Sequence, residues 1–410
     1  MKNLLPILCL ITLFSCQKES ASGGGGNTTP TTDSFTVTVN NGYGSDKYKA
    51  GDTVHIFSIA YSSDQLFNSW SSADIALLNG KDEWHTWFIM PARNVNFTGS
   101  LKNITSVILT FEQIRGRDIL KPVYYYFPAG HKGFVYLLHG TGGSAQHFVN
   151  SYENQQLIKD LITDNFAVIV TEAEEITLNT DLNGDGKLRW NPAPWDSVTN
   201  VDFANLRIIT DIFYNRGVTS RNKFRYSAGM SNGGNFSAYL SYMYNYKAGI
   251  SYCAPAGNLL AQTFNIPFQF CMARFDNNEN VGPTGNANAL ANSQILTGRG
   301  ICSKFFMQEH SPLYPERFAR KGDITLSKSA AIFNELKTKR FLDSKKYFIG
   351  FSVALITAYQ ANPTSFPELN SLNVLQKLTV IEQIDLAVAD HQMYSDYNRA
   401  SLKFLNTQCQ

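Results

Sequence analysis

A serine with glycines two residues to either side stands at Gly229-Met230-Ser231-Asn232-Gly233, after a strand-like run from Lys223 to Tyr226 and before a helix-like stretch from Asn235 to Tyr244. A serine nucleophile needs that order. It must sit on a tight strand-to-helix turn, and the flanking glycines let the neighbouring backbone pass without a Cβ clash. The helix N-terminus then places partial positive charge where an oxyanion would develop. A second glycine-rich segment, His139-Gly140-Thr141-Gly142-Gly143, follows the apolar run from Phe134 to Leu138. The expected oxyanion hole combines the backbone N–H of Asn232 with that of Thr141, while His139 is expected to pack and hydrogen-bond locally.

The general base follows the nucleophile when chain order is serine, acid, histidine, and only His310 and His391 lie beyond Ser231. His391 is favoured. It falls between the apolar run Leu378 to Ile381, read as the last strand, and a final helix-like stretch from Tyr394 to Leu405. His310, in Glu309-His310-Ser311-Pro312, belongs to a loop-rich insertion. The acid is expected at Asp276, at the carboxyl end of the strand-like run from Phe268 to Phe275, where open α/β sheets collect ligands. Glu279 and Asp390 are rivals for the role.

Asp181-Leu182-Asn183-Gly184-Asp185-Gly186 places oxygen donors at positions 1, 3 and 5 of an EF-hand-like loop with glycine at 6, a pattern suited to calcium. Position 12 is Pro192 rather than a bidentate acid, so a metal-free Asx turn is the competing expectation. Trp190 follows closely and is expected either at the rim of the substrate pocket or in ordinary packing.

The elements that carry these residues have two periods. From Phe35, alternation through Val37 and Val39, a Gly42-Tyr43-Gly44-Ser45 turn and the segment Tyr48 to Val54 mark a small β unit over 34–102. Beyond 103, strand-like runs (107–111, 123–127, 134–138, 167–171, 223–226, 248–253 and 268–273) alternate with helix-length segments. That alternation over 103–410 specifies a mostly parallel, doubly wound α/β sheet. At 43% hydrophobic and 17% charged the 410 residues cannot be a disordered chain. A net charge of +2 without Lys/Arg blocks excludes a nucleic-acid groove.

Lys2 and the apolar stretch Leu4 to Phe14, too short to span a bilayer, form an expected leader over 1–15. Residues 16–33 carry four consecutive glycines and read as a flexible tether. Cys253, Cys271, Cys302 and Cys409 remain for an oxidising compartment, with three pairings open.

Several segments resemble known families. Leu13-Phe14-Ser15-Cys16 resembles the bacterial lipobox, which implies acylation of Cys16 and a lipid-anchored protein of the cell envelope. Phe35-Thr-Val-Thr-Val39, Tyr48 to Val54, Phe67-Asn-Ser-Trp70 and Phe88 to Val95 together resemble the internalin-type B-repeat module of surface proteins, generally a spacer or weak adhesin. The His139–Gly143 loop, Val201-Asp202-Phe203, Gly229-Met-Ser-Asn-Gly-Gly234 and His391 resemble the polyhydroxybutyrate depolymerase and feruloyl esterase family of α/β-hydrolases over about 120–405. The acid region, Arg274-Phe-Asp276-Asn-Asn-Glu-Asn280, departs from that family's Gly-x-x-Asp-x-x-Val form, and the long stretch 311–367 is expected to be a lid. The resemblance implies an α/β-hydrolase fold preceded by a small all-β module. It also implies serine ester hydrolysis outside the cell on polymer-linked feruloyl, acetyl or polyester groups, with no cofactor required for catalysis. A peptidase of the same fold and a non-catalytic adhesin are the alternatives.

Overall fold

The computed structural model describes residues 34–60 and 62–410. The leader, the acylation expected at Cys16 and the tether over 16–33 lie outside the described residues. Alternating apolar side chains build β1 (Ser34–Asn40), and short turns lead through β2 (Gly42–Tyr43), β3 (Asp46–Lys49), β4 (Thr53–Ser58), β5 (Gln65–Ser71), β6 (His85–Ile89) and β7 (Val95–Asn103). These strands form two small sheets, ordered β3-β1-β7-β5 and β2-β4-β6. Val37, Ile56, Trp70, Phe88 and Phe97 fill the space they enclose.

The β module packs against the rest of the molecule. Tyr314, from far along the chain, belongs to its core and stacks on Tyr43 with ring centres 4.8 Å apart. The ring of Trp84 lies 3.3 Å from the Arg320 guanidinium carbon, the buried Glu83 accepts from the backbone N–H of Ala400 at 2.9 Å, and His85 bonds Asp396. Arg320 is 4% and Glu153 1% exposed, and they pair at 2.9 Å. Removing one partner of a buried pair strands the other charge, at a cost of about 3–5 kcal/mol. Arg320→Ala therefore lowers unfolding stability by that amount in a denaturant titration; a loss below 1 kcal/mol would mean that Glu153 is otherwise compensated.

The main sheet consists of β8 (Thr110–Arg115), β9 (Leu120–Tyr126), β10 (Gly133–Leu138), β11 (Phe166–Val170), β12 (Phe224–Met230), β13 (Ala248–Tyr252), β14 (Phe268–Ala273) and β15 (Ser303–Gln308). Its order is β15-β14-β13-β12-β10-β11-β9-β8. β9 runs antiparallel to both its neighbours, and the strands from β11 to β15 are parallel. Every residue of β10 is buried because helices cover both faces, the usual condition of a parallel sheet. Val135 and Leu137 pack with α1 (Ala145–Asn150), α2 (Tyr152–Thr163) and α12 (Asn398–Thr407) on one side. Phe134, Tyr136 and Leu138 pack with α4 (Val201–Asn215) and α5 (Asn232–Met243) on the other. Between these lie α3 (Glu174–Leu178), α6 (Asn258–Thr263) and α7 (Gly282–Gly298).

The expected last strand is a helix. Leu378 to Ile381 lies within α11 (Val374–Val388), which opens with a capping box between Asn373 and Gln376, and the sheet ends instead at β15. The stretch expected as a lid folds as α8 (Leu326–Thr338), α9 (Ser352–Ala361) and α10 (Pro367–Asn370) and shares a core of its own with α11, including Phe318, Ile332, Leu355, Leu369 and Ile384. Cys302 and Cys409 form a disulfide across 107 residues, tying the chain end to the start of β15. Cys253 and Cys271 are buried thiols.

Candidate active site

β12 ends at Met230 and α5 begins at Asn232, so Ser231 makes the whole turn, with φ 55° and ψ −123°. A positive φ is uncommon for a residue with a Cβ and costs about 1–3 kcal/mol. The turn is held by the Ser231 N–H, which donates to Tyr252 O at 2.7 Å. A Cβ on Gly229 would lie 2.2 Å from Gly233 O, and one on Gly233 would lie 2.3 Å from His139 O. Both glycines are thus fixed by backbone crowding.

Two loops at the carboxyl end of the sheet bring the other groups to Ser231. Asp276 follows β14 and His391 follows α11, whose C-cap Ala389 is left-handed. Ala389 O accepts from Phe275 N at 2.9 Å, which joins the two loops. His391 Nε2 stands 2.8 Å from Ser231 Oγ, and its Nδ1 stands 2.7 Å from Asp276 Oδ2. With Nδ1 donating to the carboxylate, Nε2 is left to accept the serine proton, a tautomer assigned from its partners. Asp276 is 3% exposed, and its other oxygen accepts from Asn278 N at 3.0 Å.

The rival residues have other partners. Asp390 accepts from the backbone N–H of Asn277 at 3.0 Å and of His391 at 2.7 Å, clipping the two loops together. Burial raises its carboxyl above the usual range. Glu279 is exposed and pairs with Lys187 at 3.3 Å, and His310 stands against the rings of Phe275 and Tyr347.

Thr141 is exposed on its loop, pinned on either side by Gly142 N to Leu188 O at 2.8 Å and Gly143 N to Gly140 O at 3.1 Å. Among the described residues, the backbone N–H groups of Thr141 and Asn232 have no acceptor. Trp190 does not line the pocket rim. It is 1% exposed, packed between the rings of His139 and Phe236 at 5.1 Å each, and its indole N–H donates to His139 O at 3.1 Å. Its backbone exchanges two bonds with the Asn232 side chain, at 2.8 and 3.1 Å, so it acts as a brace between the two loops. His139 is 2% exposed, and burial pushes its imidazole down to about 4. Kept neutral, its Nε2 accepts from Ala173 N at 3.1 Å.

Sequence reasoning overlooked Asp202 and Cys253 as supports for the site. Asp202 accepts from Glu174 N at 2.8 Å and Asn191 N at 2.9 Å, fixing the loop that carries Trp190; its place in the helix-opening Asn200-Val-Asp202 segment was the available signal. Cys253 Sγ donates to Gln392 O at 3.4 Å, which steadies the residue after His391. Among the described residues, Cys253, Asp276 and His391 are the sole group of three such donors close enough for a metal, yet the last two already bond each other.

No protein-family model and no curated protein matches the sequence. Solved structures similar to it include a dienelactone hydrolase from Anabaena variabilis (15% identity, TM-score 0.36, covering 48% of this chain and 85% of that one). A ferulic acid esterase is 10% identical, with TM-score 0.37 and coverage of 49% and 89%. Est1E from Butyrivibrio proteoclasticus, with ferulic acid bound, is 12% identical, with TM-score 0.32 and coverage of 46% and 85%. What decides the fold is the doubly wound sheet with a positive-φ serine on the turn between β12 and α5. It is an α/β-hydrolase fold.

In this fold the Asp181 loop is satisfied by its own backbone and a cation of the chain. Asp181 accepts from Gly184 N and Gly186 N, each at 2.7 Å, and Asp185 accepts from the Arg189 guanidinium at 3.0 and 2.5 Å. Asn183 accepts from Asp185 N at 3.0 Å. Three oxygen-bearing side chains line one loop, and calcium would compete with Arg189 for Asp185.

Proposed function

We propose that the protein is a serine ester hydrolase working through an acyl-enzyme. The observation that carries this is the continuous hydrogen-bonded chain from Ser231 Oγ through His391 to Asp276, beside two unengaged N–H groups. His391 Nε2 takes the serine proton as Oγ bonds the ester carbonyl carbon, and the N–H groups of Thr141 and Asn232 hold the oxyanion. The imidazolium returns that proton to the departing alkoxide as the C–O bond breaks. Water then repeats the sequence on the acyl-enzyme, giving a proton to Nε2 while its oxygen bonds the carbonyl carbon. Collapse expels Ser231 Oγ, which recovers the proton, and the acid is released. Asp276 holds the ring in the productive tautomer throughout.

The substrates proposed are polymer-linked esters, feruloyl or acetyl groups on polysaccharide or a polyester, met by an enzyme tethered to the cell envelope through an acylated Cys16. The lipobox-like leader and the near-neutral, aromatic-rich composition support that setting. An alkyl fluorophosphonate is expected to label Ser231, read by peptide mass, with p-nitrophenyl acetate and methyl ferulate both hydrolysed. Label on another residue would sink the proposal, and turnover of an aminoacyl amide in place of both esters would make the protein a peptidase.

Calcium at Asp181, Asn183 and Asp185 belongs to the same proposal as a structural ion. Its expected outcome is a higher melting temperature in millimolar calcium than in chelator, because an ion bound only by the folded state stabilises it. Equal melting temperatures would leave the loop to Arg189 and the backbone.

A further inference from the structure

Beside the hydrogen-bonded chain of Ser231, His391 and Asp276 stands a third donor that the proposed reaction does not use. Cys253 Sγ, a ring nitrogen of His391 and a carboxylate oxygen of Asp276 all lie within 4.8 Å of one another. The turn after β13 brings the thiol there: Cys253 has φ 50°, its N–H donates to Cys271 O at 2.8 Å, and it is buried. Its Sγ donates to Gln392 O at 3.4 Å, and a thiol is a weak donor, so little hydrogen bonding is lost when that proton leaves. The Asp276 side chain is wholly covered, whereas His391 keeps 14% of its side chain exposed. An ion therefore reaches the three groups past the imidazole.

We propose that Cys253, His391 and Asp276 form an inhibitory site for a soft divalent cation such as zinc, which stops the enzyme by taking His391 away from Ser231. Thiolate, imidazole and carboxylate are the ligand types zinc accepts, with the fourth position of a tetrahedral ion left for water. The thiolate also selects against magnesium and calcium, which prefer oxygen. Charge fits as well, because thiolate and carboxylate together neutralise a divalent ion in a place where an unbalanced charge would be costly. Binding releases one proton, that of the thiol. The ion and the resting hydrogen bond of 2.7 Å between His391 Nδ1 and Asp276 exclude each other, which makes the occupant an inhibitor rather than a resident cofactor. Metal on Nδ1 sends the ring proton to Nε2, which then has no lone pair for the Ser231 hydroxyl. Metal on Nε2 occupies that lone pair directly. The loss of activity rests on the ester-hydrolase proposal; the binding of the ion does not.

Cadmium is the probe, because its bond to a thiolate absorbs in the ultraviolet. The full chain, stripped of metal with a chelator, is titrated with cadmium chloride while that absorption and p-nitrophenyl acetate turnover are followed. The expected result is that absorption rises and kcat falls over the same concentrations, the fall reaching about tenfold or more with KM little changed. Chelator restores the rate, and magnesium has no effect. Cys253→Ser keeps a hydroxyl donor for Gln392 O and removes the thiolate. Compared with its own metal-free rate, it needs about a hundredfold more cadmium for half-inhibition and loses the absorption that tracks inhibition. Cys253→Ala gives the same readings if the serine variant does not fold. Inhibition that survives both substitutions, or an equal response to magnesium, overturns the site. Cadmium bound through Cys253 without loss of turnover overturns the disengagement of His391. Cadmium bound through Cys253 in a chain with no Ser231-dependent turnover of any ester overturns the hydrolase proposal and supports the metal site.

Discussion

Ser231→Ala lowers kcat for p-nitrophenyl acetate by about 10⁶-fold, the scale of removing the nucleophile from a serine hydrolase whose groups act as a unit. His391 Nε2 at 2.8 Å from Oγ has no other proton to take from the protein at that position, so the covalent route closes outright. Rate above the water background, about 10³-fold, remains through the Thr141 and Asn232 N–H groups and substrate binding. KM changes little, because a serine hydroxyl contributes mainly to the transition state. Steady-state assays at high enzyme concentration measure both quantities, and activity within tenfold of the native protein would end the acyl-enzyme mechanism.

Asp276→Asn is the second large loss, about 10⁴-fold in kcat. An amide at this position donates where a carboxylate accepted and turns His391 to the tautomer that cannot take the serine proton. The contrast with Asp390→Asn makes the assignment specific. Asp390 bonds backbone N–H groups rather than the imidazole, so its amide variant keeps one acceptor oxygen and loses less than about 10²-fold, together with some thermal stability. A larger loss for Asp390→Asn than for Asp276→Asn would reverse the two roles.

Much of this site was legible because backbone crowding writes itself into sequence. Gly229 and Gly233 admit no Cβ, and a continuous apolar run such as Phe134 to Leu138 marks a strand covered on both faces. Chain order and element ends then pointed to His391 and Asp276, although the acid lay in an atypical segment. What misled was short-range ambiguity. Leu378, Val380 and Ile381 read as a strand because so short an apolar run carries no period of its own, while the decisive signal, the Asn373 and Gln376 capping box, lay just upstream. Trp190 was left open between the pocket rim and ordinary packing, since sequence does not say which way an aromatic ring faces. The pairing of Cys302 with Cys409 depends on where β15 and the chain end meet, and no local pattern records it. The clamp between the β module and the large α/β part was hidden for the same reason: Trp84 and Arg320, or His85 and Asp396, meet only after both parts have folded.

The positive φ of Ser231 sets folding and chemistry against each other at one position. Glycine would adopt φ 55° freely, so a redesign guided by stability alone would write glycine at 231 and obtain a sturdier, inert protein. Residues 229–234 therefore have to be held constant in any thermostabilised variant, and gains must be sought elsewhere, in the helical layer of α8 to α11 or at the solvent face of the β module.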